Sequence, residues 1–388
     1  MTVGSAARRT AFWALDAVRG KPIRGHLEDI RSSMDGTTEA PERLEALLDH
    51  ARRTTPFYTD VESSRLDAFP ILTRPVLQRQ PEALHSNAYA NATFREVTTS
   101  GSTGRPVTVR QDQGKRLRSI ADIIYMNEMC GLLVGDPLLW MRAWGEETNR
   151  AGLVRRAQNI TTFEVRGLDE ERMQRVVDTM RHGSMAALLA YPSALRAIAR
   201  FVDDRDVDAR AFGLRVVISD SESLSSQLRD ELETTFGCPV ADRYANEENG
   251  MLAIVEPGAD AFRLNRASYV FEFLGLDDDS PQRAGELARV IITDLFNFAM
   301  PLIRYDTGDL AVVPKHSGPS PTTIERLEGR RLDVVLDMAG RAVSSTMLAT
   351  AMDPFEQLQQ YQLRQLDTHA FRLLFVDAED VYTAEQLE

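Results

Sequence analysis

The sequence predicts an α/β fold, with mainly parallel sheets covered by helices. Two observations carry this. From about residue 95 onward, short β-rich runs alternate with amphipathic helical runs across short connections, the pattern of strand–helix–strand crossovers. Polar loops follow the strand-like runs directly, where open parallel sheets collect ligands.

Taken in order, residues 1 to about 95 read mostly helical, as in "EAPERLEALLDHARRTTPFYTDV", with apolar positions at helical spacing before Pro56. "FREV" is an extended run. "DPLLWMRAW" and "NITTFEV" read as strands, and "DEERMQRVVDTMRHG" as a helix ending at a glycine. "SMAALLA" is a strand, and "YPSALRAIARFVDD" a helix starting after Pro192. "LRVVIS" is a strand, "SSQLRDELETTFG" a helix capped by Gly237, and "PVADRY" the next strand. "YVFEFLGL" and "RVIITDL", separated by an acidic turn, predict a hairpin. "HSGPSPTT", residues 316 to 323, is a Pro/Ser/Gly break and a candidate boundary region.

Composition narrows the partners. Hydrophobic residues at 43% and charged residues at 27% are ordinary for a globular chain of 388 residues. A formal charge of -13 disfavours nucleic acid and anionic membrane as partners, since both select basic faces. It does not exclude an anionic ligand held by local arginines and backbone amides. Cys130 and Cys238 are the only cysteines, which provides no disulfide framework or cysteine metal site and suits a reducing cytoplasm. The amino-terminal "MTVGSAARRTAFWALDAVRGKP" reads as an amphipathic helix rather than an export signal, because Asp16 breaks the apolar run. No apolar stretch approaches the roughly 20 residues that span a bilayer, so a cytoplasmic location is expected. A homodimer is left open.

Five polar stretches stand out. "TTSGSTGRP" (98–106) is rich in hydroxyls and glycine but lacks the lysine of a P-loop. "SDSES" (219–223) presents Glu222, and "DRYANEENG" (242–250) sets Tyr244 four residues before Glu248. "RYDTGDL" (304–310) presents Asp309 on a glycine turn, and "EGRRLD" (328–333) carries paired arginines. Singly, each has an ordinary reading: flexible turn, solvated loop charge, packed ring, turn former, surface charge pair.

Their order resembles the adenylate-forming superfamily of acyl-CoA synthetases and adenylation domains, and within it the phenylacetate–CoA ligase branch. "LLDHARRTTPFY", "FPILTRPVLQ", "TTSGSTGRPV" and "TDLFNFAMPLIRYDTGDLA" have that branch's wording, and the resemblance covers about residues 45 to 375. It implies a large N-terminal domain, residues 1–329, holding the ATP and carboxylate site. A hinge and small, truncated C-terminal α+β domain, residues 330–388, would follow. Ser100, Gly101, Ser102, Thr103 and Gly104 match the loop that cradles the triphosphate of ATP. Ser221 and Glu222 match the adenine-side loop, Tyr244 the ring that stacks on adenine, and Glu248 the Mg2+-binding glutamate. Asp309 matches the aspartate that takes the ribose hydroxyls, and Arg330 the arginine near ribose and phosphate. Thr103, Glu248 and Arg330 are the implied catalytic residues.

The departures from the family are specific. Ser221 stands where glycine or alanine is usual, Ala245 where glycine is, and Glu247 where a Thr or Ser commonly meets the α-phosphate. Leu332 takes a place often held by the hinge aspartate, with Asp333 beside it. The family's C-terminal domain carries a lysine near its end, whereas the lysines here are Lys21, Lys115 and Lys315. Either the chain has been cut short or it departs chemically; truncation is the expectation.

The implied activity is ATP-dependent activation of a small carboxylic acid as its acyl-adenylate, then transfer to a nucleophile, with coenzyme A the expected acceptor. Transfer to an amine or carrier protein, or other AMP-dependent chemistry, is one alternative, and a non-catalytic nucleotide-binding homologue the alternative from another class. Candidate acid-pocket residues are Trp140, Met141 and Trp144 in "WMRAWGEE", and Asn249, Gly250 and Met251 after the glutamate. Core packing is an equal rival for both tryptophans.

Overall fold

A computed structural model describes residues 3–36, 41–98, 106–143, 152–315, 321–330, 335–336, 342–343, 358–367 and 370–377. The chain opens with helices α1 (Val3–Val18), α2 (Pro22–Asp35) and α3 (Pro41–Thr54), followed by the short α4 (Arg74–Arg79). Asp16, the residue that breaks the first apolar run, accepts hydrogen bonds from the Ile23 and Arg24 amides and so caps α2. Strands β1 (Arg95–Thr98) and β2 (Thr108–Gln111) pair antiparallel, with Thr98 opposite Thr108. The glycine-rich run 99–105 joins these strands and lies outside the described residues. Helix α5 (Gln113–Met129) follows, capped by the Asp112 side chain on the Lys115 amide.

The alternating region then unfolds as the sequence predicts. In order come β3 (Leu138–Arg142), α6 (Gly152–Ala157), β4 (Ile160–Glu164), α7 (Glu170–Gly183), β5 (Ala187–Ala190), α8 (Pro192–Asp203), β6 (Val216–Ser219), α9 (Ser226–Phe236) and β7 (Val240–Asn246). Gly237, at φ 64°, ends α9 in the left-handed conformation that glycine adopts without strain. Strands β8 (Gly250–Val255) and β9 (Phe262–Leu264) turn back antiparallel. Next are β10 (Tyr269–Leu274), β11 (Leu287–Asp294), β12 (Tyr305–Val312), β13 (Thr323–Ile324) and β14 (Arg326–Arg330). Beyond these the structure describes two hairpins, β15 (Val335–Leu336) with β16 (Ala342–Val343), and β17 (Leu358–Asp367) with β18 (Ala370–Asp377).

The main sheet has eight strands in the order β13-β9-β8-β7-β6-β5-β3-β4. Its β7-β6-β5-β3-β4 half is parallel, and β8, β9 and β13 extend it antiparallel. Strand periodicity sorts the side chains between the two faces. Leu138, Leu189, Val216 and Ile218 face one cluster with Met126 of α5. Leu139, Met141, Leu188 and Val217 face the opposite cluster with α7, α8 and α9. A second sheet, β10-β11-β12-β14, is antiparallel throughout and contains the expected 269–294 hairpin. Arg330, where a hinge was expected to begin, is the last residue of β14.

Candidate active site

Glu248 sits on the turn that joins β7 to β8. Asn246 pairs with Gly250 across this turn, and the Asn246 Oδ1 accepts the Asn249 amide at 2.8 Å, closing it as asparagine side chains do. Gly250 completes the reversal at φ 101°, a conformation L side chains rarely adopt. The turn tucks Glu248 inward, leaving it 5% exposed. Its Oε1 lies 3.2 Å from the Arg74 guanidinium and accepts the Tyr305 hydroxyl at 3.1 Å. Gln111, at the end of β2, donates to the Glu248 carbonyl at 3.2 Å.

Strand β12 supplies the rest. Tyr305, Thr307 and Asp309 all reach the end of β7 by hydrogen bonds, although β12 bulges here, with Gly308 at φ 79°. Tyr305 reaches Glu248, while Thr307 and Asp309 reach Tyr244: the Tyr244 hydroxyl donates to Asp309 Oδ2 at 2.7 Å and approaches Thr307 Oγ1 at 3.4 Å. The Thr307 hydroxyl in turn accepts the Asp309 amide at 3.1 Å. Arg330 stands opposite Asp309 in the β12–β14 register. Thus "DRYANEENG", "RYDTGDL" and the start of "RRLD" meet in space. Burial raises both tyrosine pKa values, and the neighbouring carboxylates raise them further. Both phenols therefore stay neutral donors.

Glu222 is placed differently. It follows β6 on an exposed loop, where its carboxylate accepts the Ser193 amide and hydroxyl, each at 3.0 Å, at the amino end of α8. Ser221 takes φ 70°, which is why glycine suits this position. Glu247, the unexpected carboxylate, is neutralised by Arg142 at 3.4 Å. Beneath this rim, burial raises the Asp220 pKa and pushes that of Asp242 up to about 7.

The pocket candidates divide. Trp140 and Met251 belong to the cluster on the α5 side of the sheet, Trp140 at its half-buried margin. Met141 points to the other face and is wholly enclosed among the α7–α9 residues, so its place is in the core and not on an open wall. Asn249 is fully buried beside Glu248. Ser100, Gly101, Ser102, Thr103, Gly104 and Trp144 lie outside the described residues. Among the described residues no group of three or more His, Cys, Asp or Glu side chains is arranged to hold a metal ion. Sequence reading passed over Arg74, Gln111 and Tyr305. "RYDTGDL", read as a glycine turn, is part of strand β12 with an irregularity at Gly308, and no local pattern pointed to Tyr305.

Comparison with known proteins places the chain among proteins of similar sequence and fold. No family model matches the chain. It is 21% identical over 329 residues to protein CapK of Staphylococcus aureus, covering 80% of this chain and 71% of CapK. It is 23% identical over 346 residues to the phenylacetate-coenzyme A ligase of Escherichia coli K12, covering 83% and 77%. In structure it matches 2-hydroxyisobutyryl-CoA ligase in complex with 2-HIB-AMP at a TM-score of 0.69 and 17% identity, covering 87% and 77%. In sequence the chain is similar to phenylacetate-coenzyme A ligases, and it shares the fold of 2-hydroxyisobutyryl-CoA ligase.

Proposed function

We propose that the chain is an AMP-forming acid ligase: it activates a small carboxylic acid with Mg·ATP and passes the acyl group to a nucleophile, with coenzyme A as acceptor. The observation that carries this reading is the convergence of Tyr244, Glu248 and Asp309, residues from separate motifs, through direct hydrogen bonds along β12. The likeness to ligases of this type supports it.

In the first half-reaction an oxygen of the acid attacks the α-phosphorus, the acyl–phosphate bond forms and pyrophosphate leaves. In the second, a thiolate attacks the acyl carbon and AMP leaves. Neither step demands much general acid–base work; alignment and charge stabilisation dominate. Asp309, with two acceptor oxygens, is suited to the paired ribose hydroxyls. Tyr244 lies beside it as the adenine-side ring. Glu248 is a single carboxylate with one oxygen already engaged. That donor set fits Mg2+ carried on a nucleotide, which is bound through one or two carboxylates plus phosphates; when bound, the ion neutralises phosphate charge.

The cation at Glu248 is Arg74, and we assign it the phosphate-facing charge. Lys115 is unsuited to that task, because its ammonium is fully buried 2.7 Å from Asp294. Acid-dependent release of pyrophosphate from ATP, scanned across a panel of carboxylic acids and followed by acceptor screening, tests the proposal. Pyrophosphate release and then acyl-CoA formation are expected. Nucleotide binding without acid-dependent release would instead indicate a non-catalytic homologue.

A further inference from the structure

A buried asparagine stands next to the candidate metal carboxylate with its side chain unbonded. Asn249 has no solvent exposure, and neither its side-chain oxygen nor its nitrogen has a hydrogen-bond partner among the described residues. Its backbone, by contrast, is fully used: the amide bonds Asn246 Oδ1, and the carbonyl accepts the Tyr269 hydroxyl at 2.5 Å. Ser119 of α5 shows the same feature. Its Oγ is buried and unpartnered, 3.7 Å from the position a Cβ would take at Gly250. Tyr269 Oη is 3.6 Å from that same position, so α5, Tyr269 and the turn at Gly250 meet where a side chain is missing. One helical turn before Ser119, Lys115 donates to Tyr269 at 3.0 Å while paired with Asp294.

Unbonded groups of this kind are uncommon in folded proteins, because each retains its desolvation cost. The two orphaned atoms of Asn249, next in sequence to Glu248, and that of Ser119, beside Gly250, match a site whose bonding partner arrives with the ligand. Lys115 and Asp294 pair with one another beside Tyr269, so that lysine offers no unpaired charge to an ionised group. Met251, next to Gly250 and part of the apolar cluster on the α5 side of the sheet, adds a non-polar neighbour.

Building on the acid-activating reading, we propose that Asn249 and Ser119 determine specificity, selecting a small carboxylic acid with an uncharged hydrogen-bonding substituent such as a hydroxyl. An amide offers donors and an acceptor, and a serine hydroxyl offers both, which together match a hydroxyl group. An acid without that substituent leaves the buried groups unpaired. Sites built this way reject the lacking analogue by up to about 10⁴–10⁵-fold.

The test is pyrophosphate exchange by the full chain with matched acids of one skeleton, such as 2-hydroxypropanoate against propanoate. Ser119→Ala and Asn249→Leu are assayed in parallel, and AMP-induced thermal protection confirms that each variant folds and binds nucleotide. A preference of at least about 100-fold for hydroxylated acids is expected, with each variant narrowing that ratio by about 10-fold or more. Equal kcat/KM for the matched acids, or variants that slow both equally, overturns the inference and makes the niche a site for buried water. Exchange with no acid, in a chain still protected by AMP, overturns the acid-activating reading and this inference with it, so the two failures read differently.

Discussion

The Tyr244 hydroxyl donates to Asp309 Oδ2 across 2.7 Å, tying the ring expected beside adenine to the carboxylate expected on ribose. The contact joins two sheets, because Tyr244 belongs to the main sheet and Asp309 to the antiparallel one. Asp309→Ala removes both acceptor oxygens and should weaken AMP binding by about 1.5 to 3 kcal/mol, as expected for charge-assisted bonds. Tyr244→Phe should cost less, about 0.5 to 1.5 kcal/mol, since it deletes a neutral donor only. Calorimetric titration of both variants decides the matter: an unchanged dissociation constant for folded Asp309→Ala would leave "RYDTGDL" a structural strand only.

Arg74 and Tyr305 converge on the same oxygen of Glu248. If Arg74 faces phosphate during adenylation, Arg74→Met removes one charged donor from a preorganised site. Pyrophosphate exchange should then fall about 100- to 1000-fold. Arg74→Lys keeps the charge but loses the planar fork, so partial recovery is expected. Wild-type exchange by Arg74→Met would assign the phosphate charge to another group, such as Arg330.

The Glu222 carboxylate receives both the amide and the hydroxyl of Ser193, so it acts here as a cap on α8 supplied from outside the helix. Glu222→Ala should lower unfolding stability by about 1 kcal/mol, the ordinary value of a cap with favourable charge at a helix amino end. Urea unfolding gives that number directly. A loss of AMP affinity at unchanged stability would be the opposite result and would favour the adenine-loop role.

Burial raises the Asp242 pKa from 3.8 to about 7. The folded state therefore holds a proton that the unfolded chain releases earlier. The contribution to stability is complete below about pH 4 and declines as pH rises, by up to about 1.4 kcal/mol per unit, until it levels off above about pH 7. Asp242→Asn cannot ionise, so its stability relative to the parent should climb between pH 4 and 7 and stay level above. Parallel stability curves for the two proteins across that range would contradict this.

Much of the architecture was legible along the chain because it rests on local pattern. Alternation of period 2 and 3.6, the stop at Gly237 and the proline start of α8 are properties of neighbouring residues, and the folded strands and helices follow them. The turn chemistry of "ANEENG" was present too, but only the fold shows that it opens an antiparallel extension of the parallel sheet. Met141 marks the limit of periodicity: Trp140 and Met141 are adjacent and equally apolar, and the helices packed on each face decide which one enters which core.

By itself, then, the sequence determined most of the strand–helix alternation from β3 to β7 and the candidates Tyr244, Glu248 and Asp309. What those side chains touch was decided by tertiary structure. Arg74 meets Glu248 across 174 positions, Tyr244 meets Asp309 across 65, and Tyr305 meets Glu248 across 57. No local rule spans such separations. A hydrogen bond needs its donor and acceptor within about 3 Å, and that spacing exists only once β12 has been laid against the end of β7. The unpaired amide of Asn249 arises in the same way, because an asparagine in a turn becomes costly only when packing has removed its water.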